Sequence, residues 1–409
     1  MTIKTSVIFV VLFVVSFNIY SQTIISGKVV AFDKTPLEGA AVYFNSTMIG
    51  TTTNKNGIFF IDAKEGFYDL VISYLGYETI IYKLNTSTYK QPLIFKLKEK
   101  ENVLNEVIIK KIIYDKQWKS NYKRFKKEFL GTSKISQYCK ILNPEVLLFK
   151  FDSKSKVLET FTKRPLKIMH KGLGYLIIYD LEEFKSTPSI VSYLGYSKYN
   201  VLKGNKRKEK RWKKKRLKAY LGSQIHFYKS VINNTLKKEG FIVNQYKKIP
   251  NPKRPSNQEI INAKNVINNA GKEVNILKKI FTPENEIDSA IIILRKAELP
   301  KFKLSIYKKN LQREDILMLK NYNYHFKFDN NLSVIFTKEK EELRYITSGI
   351  FGIKRPPSSQ KSNIIPLKKN SILFSNGILF NPLEVYYEGY WSYEKFANSL
   401  PLDYEIQKK

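Results

Sequence analysis

The chain has 409 residues with 71 Lys+Arg against 36 Asp+Glu, a formal charge of +35, and 43% of its residues are apolar. That apolar share can bury cores, which excludes a wholly disordered chain, and at roughly 150 residues per domain the length predicts two or three domains. One cysteine excludes an intrachain disulfide framework and a thiolate metal cluster, and His170, His226 and His325 stand too far apart for a helical imidazole pair.

Residues 1–22 read as an export signal: Lys4 is the positive start, Val7 to Phe17 is an uncharged apolar run, and Ser21-Gln22 marks the cleavage region. The run is shorter than the roughly 20 residues that cross a bilayer, and no later stretch reaches that length. The expected location is the periplasm or the periplasmic face of the outer membrane.

From Thr23 to Ile109 short alternating runs are punctuated by turns, the pattern of an all-β sandwich. The predicted strands are Ile24–Phe32, Ala40–Asn45, Thr51–Thr53, Ile58–Ile61, Gly66–Tyr74, Glu78–Leu84 and Leu93–Leu97. Asp33-Lys34-Thr35-Pro36 and Asn54-Lys55-Asn56-Gly57 supply turn chemistry, and Gly76 predicts a bulge or tight bend.

These residues also carry a resemblance. Residues 27–61 and 66–79 are similar to the carboxypeptidase regulatory-like domain, a seven-stranded transthyretin-like sandwich of exported Gram-negative proteins. Pro36, Gly39, Ala40, Val42, Gly50, Thr51, Gly57, Phe59, Tyr74, Gly76 and Tyr77 follow the family's order and spacing. The resemblance implies a non-catalytic accessory module, often one that precedes the plug of a TonB-dependent outer-membrane transporter. Val103–Ile109 is similar to the segment that joins sandwich to plug, with an added edge strand or linker strand as the other reading. The several hundred residues of a plug and barrel do not follow, so a transporter is not expected.

Charge is unevenly placed. Residues 23–109 hold nine lysines and nine carboxylates and are neutral, so residues 110–409 carry +34. Residues 110–246 are expected to form a basic α+β region. It holds a helix over 115–131 with Tyr122, Phe125 and Phe129 on one face, and a hairpin of Val146–Phe151 with Val157–Thr162. Ser192–Tyr196 repeats Ser73–Tyr77 letter for letter, without the flanking turns a duplicated sandwich would need.

From Lys203 to Lys218, 11 of 16 positions are Lys or Arg, and the run leads into Tyr220, Leu221, Ile225, Tyr228, Val231 and Ile232 at helical spacing. One long amphipathic helix with a cationic first half is predicted. Lys206, Arg207, Lys208, Lys210, Arg211, Trp212, Lys213, Lys214, Lys215 and Arg216 are the candidate contacts for an anionic surface, lipid or lipopolysaccharide, with another envelope protein as the other expected partner. The bland alternative is a solvated face whose lysine stems cover apolar surface. For an exported chain, nucleic acid is not the expected partner.

Residues 247–275, with Pro250, Pro252 and Pro255 and then an Asn-rich stretch, read as a linker or disordered segment. Residues 276–409 read as a β-rich C-terminal region. Its strand-like runs are Ala290–Leu294, Lys301–Tyr307, Tyr322–Phe328 and Leu332–Thr337, the last two forming a hairpin over Asp329-Asn330-Asn331. The aromatic run Gly389–Phe396 suits either a terminal helix docked on the core or a sugar-stacking platform.

No catalytic, cofactor or metal site is expected. No histidine is followed by the His-x-x-Glu spacing of a metallocarboxypeptidase, and there is no nucleophile elbow or P-loop. A Cys139–histidine pair stays formally open, Glu182 and Glu183 should point to opposite faces of a strand, and carboxylates assembled by folding stay open too. The reading is therefore a multidomain protein, a seven-stranded sandwich followed by a basic mixed α+β region. It is expected to be an exported non-enzymatic binding or assembly module, with a hydrolase of envelope or dietary polymer as the alternative.

Overall fold

A computed structural model of the chain describes residues 23–100, 114–270, 274, 280, 282–320, 323–347 and 355–406. The export signal read in residues 1–22 and the segment Val103–Ile109 lie outside the described residues.

Among the described residues, seven strands open the fold: β1 (Thr23–Ala31), β2 (Ala41–Phe44), β3 (Gly50–Thr52), β4 (Ile58–Ala63), β5 (Phe67–Ser73), β6 (Ile80–Asn85) and β7 (Leu93–Leu97). They make two facing sheets, β4-β1-β7 and β3-β2-β5-β6. Alternation decides which side chains face in: Phe59, Ile61 and Ala63 of β4 are buried while Phe60 is exposed. The β3–β4 turn follows from its sequence. Asn54 Oδ1 accepts from the amides of Asn56 and Ile58, both at 3.0 Å, and Gly57 has φ +75° with the Val29 carbonyl where a Cβ would stand. Tyr43 and Val71 break the alternation by being buried on the outer face as well, because the rest of the molecule covers it.

The body begins with α1 (Lys116–Leu130), capped by the Asp115 carboxylate on the Trp118 amide at 2.6 Å and ended by Gly131 at φ 87°. Strands β8 (Cys139–Ile141), β9 (Leu147–Phe151), β10 (Leu158–Thr162), β11 (Leu166–His170), β12 (Tyr175–Ser186) and β13 (Val191–Val201) form one sheet, with β12 central. Helices α2 (Lys206–Tyr220), α3 (Gln224–Ile232) and α4 (Leu236–Glu239) lead to β14 (Phe241–Pro250), α5 (Asn257–Asn269), α6 (Glu286–Ala297) and β15 (Phe302–Lys308). The chain ends through α7 (Arg313–Ile316), β16 (Leu317–Lys320), β17 (Asn323–Phe326), β18 (Asn331–Lys340), α8 (Leu343–Ile346), β19 (Ser359–Pro366), β20 (Ile372–Leu373), β21 (Val385–Gly389) and α9 (Tyr390–Glu394). A second body sheet has the order β15-β14-β18-β19-β21, and a small one the order β16-β17-β20. One body core holds Phe125, Phe129 and Ile177 with Phe396 and Leu400 from the chain's end, and the other holds Phe227, Phe336 and Trp391.

Several expectations are corrected. The single long helix is two, α2 and α3. Between them Gly222 turns with φ +77°, its amide donating to His226 Nδ1 at 3.1 Å and its carbonyl accepting from Trp391 Nε1 at 2.7 Å, and Ser223 caps α3. The supposed linker at 247–275 starts inside β14, where Lys247 to Pro250 pair with β15, and continues as α5, opened by a capping box of Ser256 and Glu259 and packed on α6. A boundary at 246 therefore cuts a strand. Ala290–Leu294 lies in α6, not in a strand: Asn285 caps it, Glu286 and Asp288 sit in its first turn, and Arg295 and Lys296 in its last. The hairpin over Asp329-Asn330-Asn331 does not form, because β18 has β14 and β19 on its two edges and β17 pairs with β16 and β20.

The repeated pentapeptide takes two conformations. Gly76 turns the chain at φ +89° with nothing near its missing Cβ, whereas Gly195 lies inside β13, where a Cβ would come within 2.4 Å of the Asp180 carbonyl and 2.6 Å of the Tyr179 ring. Gly76→Ala should cost about 1 kcal/mol of backbone strain, and Gly195→Ala about 3 kcal/mol of overpacking against backbone. Denaturant titration of both variants checks the order; equal losses would mean that β12 and β13 move apart freely at that point.

Candidate functional site

Helix α2 carries ten basic residues and one acid, Glu209. Lysine and arginine favour helix, but like charges one turn apart oppose it by about 0.2–0.5 kcal/mol per pair, so something must hold this helix in place. Trp212 and Arg216 do so. Trp212 is buried, donates from Nε1 to the Lys171 carbonyl at 2.9 Å, and fills the space left by the missing side chains of Gly174 and Gly204. Arg216 donates to the carbonyls of Leu173 at 2.7 Å and Gly174 at 3.2 Å, with its guanidinium 4.1 Å from the centre of the Tyr175 ring. The Lys215 ammonium lies 3.5 Å over the Tyr138 ring, and buried Ala219 and Tyr220 complete the inward face.

The ten candidate contact residues thus divide. Lys206, Arg207, Lys208, Lys210, Arg211, Lys213 and Lys214 are exposed, and among the described residues no salt bridge uses any cation of α2. Trp212, Lys215 and Arg216 hold the helix to the body. Trp212, expected beside the cationic array as a gripping ring, is instead inside the protein, because the glycines at 174 and 204 open a slot for the indole.

On the flank of α2 marked by Lys215 and Lys218 lies a cavity of about 190 Å³ that Glu339, Glu342 and Glu394 line together. They come from the end of β18, the N-cap of α8 and the last residue of α9. Glu342 Oε2 accepts from the Lys134 amide at 2.8 Å and the Tyr393 hydroxyl at 2.9 Å. Glu339 accepts from Gln360 Nε2 at 3.3 Å, and Glu394 from Asn398 Nδ2 at 3.1 Å. Glu394 keeps some surface toward the cavity mouth, yet protein surrounds its carboxyl closely. That burial, with the charges of Glu342 and Glu339 added, pushes Glu394 from the usual 4.5 up to about 8. Burial raises Glu339 as well, with Lys218 opposing. A carboxylic acid that keeps its proton at neutral pH beside other carboxylates can donate that proton. Sequence reasoning had no signal for this cluster: three glutamates spread over 56 positions share no motif.

The other catalytic candidates come apart. Cys139 and His170 are cross-strand partners in β8 and β11, but His170 donates from Nε2 to the Ala397 carbonyl at 2.9 Å and accepts on Nδ1 from the Leu173 amide at 3.1 Å. Burial pushes the thiol up to about 12 and the imidazole down to about 4, so the pair holds no thiolate, and both nitrogens of the neutral imidazole are already engaged by backbone. Glu182 and Glu183 are both exposed beside a bulge in β12. The aromatic run at 389–396 is docked, with Tyr390, Trp391 and Phe396 buried, so it offers no stacking platform. Among the described residues no three His, Cys, Asp or Glu side chains could hold a metal ion.

Comparison with known proteins bears on the sandwich. Residues 25–109 match the CarboxypepD_reg-like domain. The regulatory-like domain therefore spans the two opening sheets, and α2 and the glutamate cavity lie outside the match. No curated protein matches the chain.

The proton on Glu394 makes stability pH-dependent. The unfolded carboxyl loses its proton near 4.5 and the folded one near 8, so the stabilisation is present at acid pH and fades as pH rises through that window. The thermal midpoint should fall between about pH 5 and 8, and Glu394→Gln should flatten that fall. Melting curves of both proteins across this range read the difference, and parallel curves would show that Glu394 ionises freely.

Proposed function

We propose that the chain is an exported, non-enzymatic binding or assembly module of the cell envelope, working in the periplasm or at the periplasmic face of the outer membrane. In this reading the regulatory-like domain is a docked scaffold and α2 is the contact for an anionic surface. The observation that carries it is the mounting of α2: seven exposed cations, unneutralised by ion pairs among the described residues, on a helix held rigid by Trp212 and Arg216. Each such cation near an anionic membrane adds about 1 kcal/mol of attraction. No described helix is long and apolar enough to cross a membrane, so contact in this reading is peripheral.

Replacing Lys206, Arg207, Lys210 and Arg211 by Gln should lower retention on vesicles containing phosphatidylglycerol at least about tenfold, and salt should weaken wild-type retention in parallel. Co-sedimentation at two ionic strengths tests this. Salt-insensitive retention, unchanged in the variant, would remove α2 from the interaction.

A second reading, a hydrolase of an envelope or dietary polymer, draws on one observation, the protonated Glu394 beside Glu342 and Glu339. It requires release of reducing ends or free amines from peptidoglycan or polysaccharide, lost in Glu394→Gln at unchanged fold. Equal product from wild type and variant would dismiss it.

A further inference from the structure

A second and larger cavity, about 940 Å³, opens between the regulatory-like domain and the body on the flank of α2 marked by Lys213 and Lys214. Its volume is that of a ligand site for a molecule of several rings. Three features of its lining point the same way. The first is a pair of cations, Lys213 and Lys214, both exposed and outside every described salt bridge. The second is a set of tyrosines, Tyr68 from β5, Tyr175 from β12 and Tyr404 near the chain's end. The third is Asp403 and Glu405 on the wall formed by residues 402–406.

Tyr175 supplies an independent sign of a missing partner. The residue is fully buried, yet among the described residues its hydroxyl has no hydrogen-bond partner, although it belongs to the cavity lining. A buried hydroxyl left unmet is destabilising, and a polar ligand in the cavity would relieve it. The wall opposite is fixed in place: the Met48 amide donates to both oxygens of Asp403 at 3.1 Å, the Leu402 amide to the Ser46 carbonyl at 2.8 Å, and Lys64 pairs with Glu405 at 2.7 Å. Each Asp403 oxygen retains lone-pair capacity for a further donor.

We propose that this cavity binds an anionic saccharide, its negative substituent on Lys213 and Lys214, its ring faces on Tyr68 and Tyr404 and its hydroxyls donating to Asp403. Pyranose rings present apolar faces that match aromatic rings and a rim of hydroxyls that carboxylates accept. A running phosphate backbone fits worse, since successive charges would pass Asp403 and Glu405. The shared chemistry is a sugar ring bearing carboxylate or phosphate, so both forms need testing. Lys213 and Lys214 belong to both contacts, whereas the outward cations Lys206 to Arg211 play no part here and Asp403 plays none at the α2 surface, so variants at those positions separate failure of one from failure of the other.

Isothermal titration of the full chain would use four probes: a galacturonate tetramer, a de-acylated glucosamine disaccharide bisphosphate, a neutral cellotetraose and an oligothymidylate. At least one charged sugar should bind, and at least about tenfold more tightly than cellotetraose and oligothymidylate. Lys213→Gln with Lys214→Gln should lose about tenfold or more of that affinity, and Asp403→Asn should weaken it while vesicle retention stays at the wild-type level. Lys296→Gln, exposed on α6 and outside the cavity, should bind like wild type, and melting points at the wild-type value show that the other variants are folded. Binding of neither charged sugar, equal binding of cellotetraose, or equal binding of oligothymidylate would overturn the proposal, as would unchanged affinity in the lysine variant.

Discussion

The architecture depends on one docking contact, the turn Asn45–Met48 of the regulatory-like domain set into the edge of β13. The Ser46 amide donates to the Ser197 carbonyl at 2.6 Å, the Tyr199 amide to the Thr47 carbonyl at 2.9 Å, and the Ser197 amide to Asn45 Oδ1 at 3.0 Å. Thr47 and Ser197 are buried, so these polar groups would be left without water or partner if the contact opened. Ser46 itself sits at φ 59°, a conformation costing a serine about 1 kcal/mol, and bonds on both its amide and its carbonyl hold it there. Farther along the interface Thr79 donates to Asp180 at 3.0 Å, and Phe67 stacks on Phe374 with ring centres 5.0 Å apart. The domain is thus one wall of the molecule, and the large cavity exists because this wall is held beside α2.

Helix α2 organises the charge of the body. Its inward face is fixed by an indole and a guanidinium on backbone carbonyls, which leaves its two flanks for different environments. One flank, with Lys213 and Lys214, meets a cavity of tyrosines and carboxylates. The other, with Lys215 and Lys218, meets half-buried glutamates, where the Lys218 ammonium opposes the rise in carboxyl affinity for protons that burial and mutual repulsion impose. The outward face carries seven exposed cations, and among the described residues no salt bridge neutralises them.

Local chemistry made the first part of the chain readable. The strands of the sandwich lie close to where alternation places them because each turn is written within four residues: Asn54 to Gly57 form their own hydrogen bonds whatever surrounds them. The same holds for α1, with Asp115 before it and Gly131 after it. Legibility failed where the deciding partner is distant. The break at Gly222 depends on Trp391, and the fate of residues 329–331 on β14 and β19 flanking β18; Ala290–Leu294 is the exception, a helix whose local caps outweigh the β preference of isoleucine.

Ser73–Tyr77 and Ser192–Tyr196 draw the line most clearly, since identical letters form a turn in one place and a strand in the other. Composition and short-range pattern by themselves determined the neutral sandwich, its turns, and a helix with an outward face too cationic to bury. Only the tertiary structure decided that Trp212 points inward, that Glu339, Glu342 and Glu394 share a cavity, and that two units enclose a groove. Backbone bonds within a turn span a few residues, whereas burial and charge coupling join groups hundreds of positions apart that only folding brings together.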